Sequence, residues 1–108
     1  MIYIHIFQTW QLQSTNGQNI NLTFESFDVH ASHDCWADYV EITYGSFNQK
    51  FCNRYTNRPG PIPGPFSSET TITVKFHTSP TGISNGFLAI VCCAINVTSN
   101  MNESESLY

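Results

Sequence analysis

Apolar and polar residues alternate along three stretches of this chain. Ile20, Leu22 and Phe24 fall on one side of an extended backbone, with Asn19, Asn21 and Thr23 on the other. Val40, Ile42 and Tyr44 oppose Tyr39, Glu41 and Thr43, and Ile72, Val74 and Phe76 oppose Thr71, Thr73, Lys75 and His77. A period of two is that of a half-buried strand. Ile4, Ile6, Trp10 and Leu12 alternate in the first segment, and Phe27 and Val29 continue the second. Phe87, Ala89 and Val91 make the inward set of a last strand. Leu88 and Ile90 leave that strand apolar on its other face too, which predicts a central strand or one covered by a partner. No stretch has a convincing helical period. Gly45-Ser46-Phe47-Asn48 reads as a turn into a returning strand, Gln49-Lys50-Phe51, and Pro80 to Gly86 as another turn. The run from Asn57 to Pro65 holds four prolines and two glycines and must be loop. Lying inside the domain, it is a crossover connection rather than a proline-rich docking ligand. Short strands separated by turns predict an antiparallel β-sandwich over residues 1–95, with 96–108 as a polar linker or tail.

The cysteines add a constraint. Cys35 opens one strand of the hairpin and Cys52 ends the other, so a bond between them would staple its open end. Closing that loop stabilises by about 3 kcal/mol in the chain-entropy model. Adjacent residues of a strand face opposite ways, so Cys92 and Cys93 are expected in different environments: one a buried thiol, the other free or intermolecular. Four cysteines in 108 residues suit an extracellular setting. Three N-x-S/T triplets, at Asn21, Asn96 and Asn102, agree with it as candidate glycosylation sites. Asn21 is the best placed, on the outward face of a predicted strand.

Charge narrows the partners. Four Lys and Arg against eight Asp and Glu give a net charge of −4. With no basic stripe, neither nucleic acid nor an anionic membrane surface is a suitable partner. No run approaches membrane-spanning length, and Met1 to Ile6 lacks the cationic start and cleavage site of a signal peptide.

Taken together, Trp10, the block Ile20, Leu22, Phe24, Phe27, Asp28, Val29, the pattern Cys35-x-x-Asp38-x-Val40-x-Ile42, Phe51-Cys52, and the closing Val74, Phe76 and Gly86-Phe87-x-Ala89 resemble a CUB domain. The likeness runs from Trp10 to about Val91. It implies a CUB-like jelly-roll β-sandwich in a larger secreted or membrane-attached protein, such as a protease or an endocytic receptor. Two departures stand out. Only nine residues precede Trp10, where the family has one or two further strands, so either one sheet edge is open or the chain is a fragment. Gln8 occupies the family's usual cysteine position, which removes its first disulfide.

Many CUB domains bind Ca²⁺ through a Glu and two Asp residues, because the ion needs several carboxylate oxygens. By resemblance, Asp38 keeps one of these positions, while His30 replaces the Glu and Ser79 the late Asp. One anionic ligand of three remains, and no cation is expected. His30, His33, Asp34 and Asp38 are residue types that suit zinc. Their spacing is unspecific, however, and solvated polar loop residues are the plainer reading. No nucleophile, zinc-protease or phosphate-loop pattern occurs. The reading is a non-catalytic extracellular protein-recognition module, with Trp36, Asp38, His30 and Ser79 as candidate ligand-binding residues. The loops His30–Asp38 and Ser79–Asn85 would grip a protein partner, and Trp36 would be its rigid anchor. Two alternatives differ in class: a carbohydrate-binding module of the spermadhesin type, in which exposed aromatics hold a glycan, and a small zinc-dependent enzyme built on His30, His33 and a carboxylate.

Overall fold

A computed structural model describes residues 2–14, 17–30, 33–54, 62–79 and 86–107. The chain folds into two antiparallel sheets. The first holds β4 (Phe47–Phe51), β3 (Tyr39–Tyr44), β7 (Thr71–Thr78), β1 (Ile2–Ser14) and β9 (Ala94–Leu107), in that order. The second is built on β2 (Ile20–Val29), which pairs with the short β5 (Asn53–Arg54) and β6 (Phe66–Ser68) and with β8 (Gly86–Cys92). The only helical piece among the described residues is a 3-10 turn at His33–Cys35.

The alternation read from the sequence makes the core. Leu12, Val40, Ile42, Ile72 and Val74 of the first sheet meet Ile20, Leu22, Phe24, Phe27, Val29 and Phe66 of the second, all buried. The opposite registers of β2, Asn21, Thr23 and Glu25, are exposed. Apolar area removed from water stabilises by about 25 cal/mol per Å², so this two-faced pattern fixes which way each strand turns. Aromatic rings fill the interior unevenly. Phe87 stands edge-on to Trp10, Phe24 and Phe76, with centroids 5.8, 5.5 and 5.4 Å away. Phe66 gathers Tyr44, Phe47 and Phe51 at 6.4, 5.9 and 5.5 Å. Edge-to-face contacts of this kind add about 0.5–1.5 kcal/mol beyond area burial.

The hairpin turn is tighter than its four-residue expectation. Tyr44 pairs with Phe47, leaving Gly45 and Ser46 as a two-residue loop. Gly45 takes a φ of 56°, which such turns require at their first central position. Cys35 and Cys52 are bonded, with Cα atoms 5.5 Å apart. Of the proline-rich run, the stretch before Ile62 lies outside the described residues, as do residues 80–85. Ile62 of the remainder and Phe66, which follows the run, belong to the core packing.

Three parts of the reading differ from the structure. Residues 96–107, expected as linker, belong to β9, which pairs with β1 from Leu107 opposite Ile2 to Asn96 opposite Gln13. An edge position suits so polar a segment, because the ladder is made by backbone groups that every residue carries; Val97, Thr98 and Ser99 are exposed. β8 is not central, since among the described residues it pairs only with β2. Val91, expected inward, is 37% exposed, and Leu88 and Ile90 are 53% and 47% exposed. Finally, Cys92 and Cys93 are bonded to each other, and both are exposed. The expectation of opposite faces assumed an unbroken strand. The strand ends instead at Cys92, and Cys93 adopts a left-handed φ of 74° between β8 and β9.

Candidate functional site

One end of the sandwich collects the end of β2, the start of β3, the end of β7 and the start of β8. His30, Asp38 and Ser79 sit there, with Trp36 between Cys35 and the start of β3. The backbone entering β3 is unusual. Asp34 and Cys35 both take left-handed conformations, with φ of 54° and 52°. That costs non-glycine residues about 1–3 kcal/mol each and persists only where surrounding contacts impose it. Those contacts can be named. Cys35 is tied to Cys52. His77 donates a hydrogen bond from Nδ1 to the Ala37 carbonyl, and a carbonyl can only accept. Asp38, fully buried, accepts through Oδ1 from the Ser79 backbone N–H at 3.0 Å and from its hydroxyl at 2.8 Å.

Register explains why these groups meet. Tyr39 lies opposite His77 in the β3–β7 ladder, so the residue before Tyr39 faces the residues after His77. The Tyr39 and His77 rings stack at 5.0 Å. Lys50 adds its ammonium over the other partner of this stack, 4.4 Å from the Tyr39 centroid. Glu41, two residues along, faces Lys50 on one side and Lys75 on the other, with Lys75 Nζ 4.0 Å from its carboxylate. Burial, and secondarily the Glu41 charge, holds the Tyr39 hydroxyl above its ordinary pKa of 10.0.

The result is a loop pinned on both flanks that presents one large side chain to water. Trp36 is 70% exposed, while Ala37 and Asp38 beside it are buried. His30 is half-buried. The His33 side chain and residues 80–85 lie outside the described ones, so of the second predicted loop only Ser79 is placed. Sequence reasoning missed His77. Alternation put it among the solvent-facing Thr71, Thr73 and Lys75, yet it is buried. No local signal marks it, because its partners come from 40 residues away.

These residues do not fit Ca²⁺. The ion takes six to eight oxygens and draws its affinity from converging carboxylates. Of the three positions that the resemblance assigned to the ion, only Asp38 carries a carboxylate, and its Oδ1 is already engaged by the two Ser79 donors. Nor do three or more His, Cys, Asp or Glu side chains converge as a metal-binding group among the described residues.

Comparison with known proteins places these observations. Residues 6–90 match the family profile described as the CUB domain. The chain is similar to mouse tolloid-like protein 2, at 30% identity over 105 residues, which is 90% of this chain and 10% of that protein. It is 31% identical over 93 residues to bone morphogenetic protein 1 of Xenopus laevis, covering 82% of this chain and 12% of that protein. With rat cubilin it shares 36% over 77 residues, covering 71% of this chain and 2% of that protein. The chain thus spans about a tenth of each of the first two and a far smaller part of the third.

Proposed function

The chain belongs to the CUB domain family, and from that premise we propose that it is a non-catalytic extracellular module that recognises a protein partner through the Trp36 end, without a cation. The observation that carries this reading is the exposure of Trp36 immediately before the buried Ala37 and Asp38. A large apolar ring held in one place loses little conformational freedom on docking, and tryptophan is the residue most enriched at the energetic centres of protein interfaces. The disulfide at Cys35 and the hydrogen bonds from His77 and Ser79 supply that fixed geometry. Two disulfides among the described residues support an oxidising compartment. The small share of each relative that the chain covers supports a module within a longer secreted or membrane-attached protein. Among the described residues no helix is long and apolar enough to cross a membrane.

The test combines crosslinking with titration. A photo-reactive amino acid replaces Trp36 in one sample and the exposed Asn48 in another, and both are offered to medium conditioned by cells that make the protein. Protein adducts unique to position 36, competed by excess unlabelled domain, are expected. Calorimetric titration with Ca²⁺ and with Zn²⁺ should give no binding heat. A glycan array signal that disappears with Trp36→Ala would replace protein recognition by the carbohydrate reading, and hydrolytic activity on addition of zinc would replace it by the enzyme.

A further inference from the structure

The outer face of the second sheet has two unlike halves. On β2 it presents Asn21, Thr23 and Glu25, all polar and exposed. On β8 it presents Leu88, Ile90 and Cys92, with Leu88 53% and Ile90 47% exposed. An apolar row on a water-facing strand costs free energy that covering it would recover. The ladder brings the halves together in a definite register: Asn21 opposite Cys92, Thr23 opposite Ile90, Ser26 opposite Leu88. Directly opposed residues of an antiparallel pair have Cβ atoms about 5 Å apart, and diagonal neighbours lie about 7–8 Å apart. Asn21 is therefore rooted beside Cys92 and one diagonal step from Ile90.

Asn21-Leu22-Thr23 is an acceptor triplet for N-linked glycosylation. We propose that Asn21 carries an N-glycan whose first sugars lie along β8 and cover Ile90 and Leu88. N-acetylglucosamine suits that surface, because one face of its ring is lined by C–H groups while its hydroxyls stay in water. In the folded chain the Thr23 hydroxyl donates to the Ile90 carbonyl at 3.5 Å, and Asn21 is fixed in two ladders, against Ser67 and against Cys92. Transfer therefore precedes the closing of this sheet. The other two triplets lie elsewhere, with Asn96 and Asn102 on β9 opposite Gln13 and Phe7. The position also spares the recognition end. Asn21 is the second residue of β2 and His30 follows its last, about 30 Å away at strand rise. Passage through a glycosylating compartment is the one condition shared with the function proposed above; the Trp36 surface plays no part.

The experiment secretes the chain from a glycosylating host and maps the attached mass by peptide sequencing. A glycan on the Asn21 peptide, released by peptide:N-glycosidase, is expected. Analytical ultracentrifugation and binding of an apolar fluorescent dye then follow three samples: the glycoprotein, the glycoprotein after enzymatic release, and Thr23→Ala, which keeps Asn21 but removes the acceptor triplet. The glycoprotein should be monomeric. Both deglycosylated forms should bind several-fold more dye and self-associate, and adding Leu88→Ser and Ile90→Thr to Thr23→Ala should restore the monomer. If Thr23→Ala is not secreted, the enzymatically released sample carries the same comparison. An unmodified Asn21 in secreted protein would overturn the proposal. So would dye binding unchanged by deglycosylation, or a glycoprotein that already dimerises through β8, which would make the stripe a contact between copies.

Discussion

Ser79 donates twice to a single oxygen of Asp38, once from its backbone and once from its hydroxyl. The two residues lie 41 positions apart. Their contact joins the entrance of β3 to the exit of β7 in a place where many relatives of this fold would hold a calcium ion. A serine hydroxyl brings a proton to the carboxylate where a second acid would bring another negative charge. One oxygen of the acid already has two donors, which supports the proposal of a loop held without a cation.

Removing the hydroxyl tests this directly. A hydrogen bond to a charged, buried group contributes about 1.5–3 kcal/mol, so Ser79→Ala should lower the unfolding free energy by that amount, read as a lower urea midpoint with an unchanged slope. Ser79→Asp should be destabilised without calcium and should recover with it, because two carboxylates then face each other. Thermal melting of the unaltered protein should be the same in Ca²⁺ and in EDTA. A rise in melting temperature with Ca²⁺ would show that the latch is not self-sufficient.

Trp36→Ala should leave stability within about 0.5 kcal/mol of the parent, as for exposed side chains generally. Denaturant unfolding checks this. The same substitution should abolish competition for the partner crosslinked at position 36. A loss of several kcal/mol in folding would instead mean that the ring covers the end of the sandwich.

The two disulfides should differ in weight. Cys35 and Cys52 are separated by 17 positions, and replacing both by serine should cost about 3 kcal/mol. Cys92 and Cys93 are neighbours, so their bond closes almost no chain. Serine at both should shift the urea midpoint far less. Equal losses would contradict the entropic account.

Tyr39 should ionise above the ordinary tyrosine value of 10.0. Difference spectra near 295 nm between the parent and Tyr39→Phe isolate its titration. Burial and Glu41 raise its pKa in the folded state, which means that the fold binds this proton more tightly than the unfolded chain does. Its contribution to stability is therefore complete below pH 10.0 and is lost as pH rises through the folded value. Glu41→Gln should move the transition down, though not back to the ordinary value, because burial remains.

Much of the candidate site was legible because its signals are local. Cys35 and Cys52 announce themselves by bracketing a hairpin, and Asp38 stands at a fixed offset from the first. Trp36 is an aromatic next to a polar loop. What could not be read is which distant groups arrive beside them. His77 follows the alternation of an outward residue and is nonetheless buried, because the loop entering β3 folds over it. β9 was hidden for a related reason: its pairing with β1 uses backbone groups that every residue carries.

The order of apolar and polar positions by itself determined the extended strands, the inward faces of β2, β3 and β7, and the staple at Cys35 and Cys52. Each of these depends on residues a few positions apart, or on a covalent chemistry of residue type. Only the tertiary structure decided that β8 lies at the margin of its sheet with Leu88 and Ile90 in water, that Cys92 joins Cys93, and that Ser79 reaches Asp38. Those outcomes follow from which strands become neighbours. That choice is made by the summed burial of the whole core, and no short window of the chain records it.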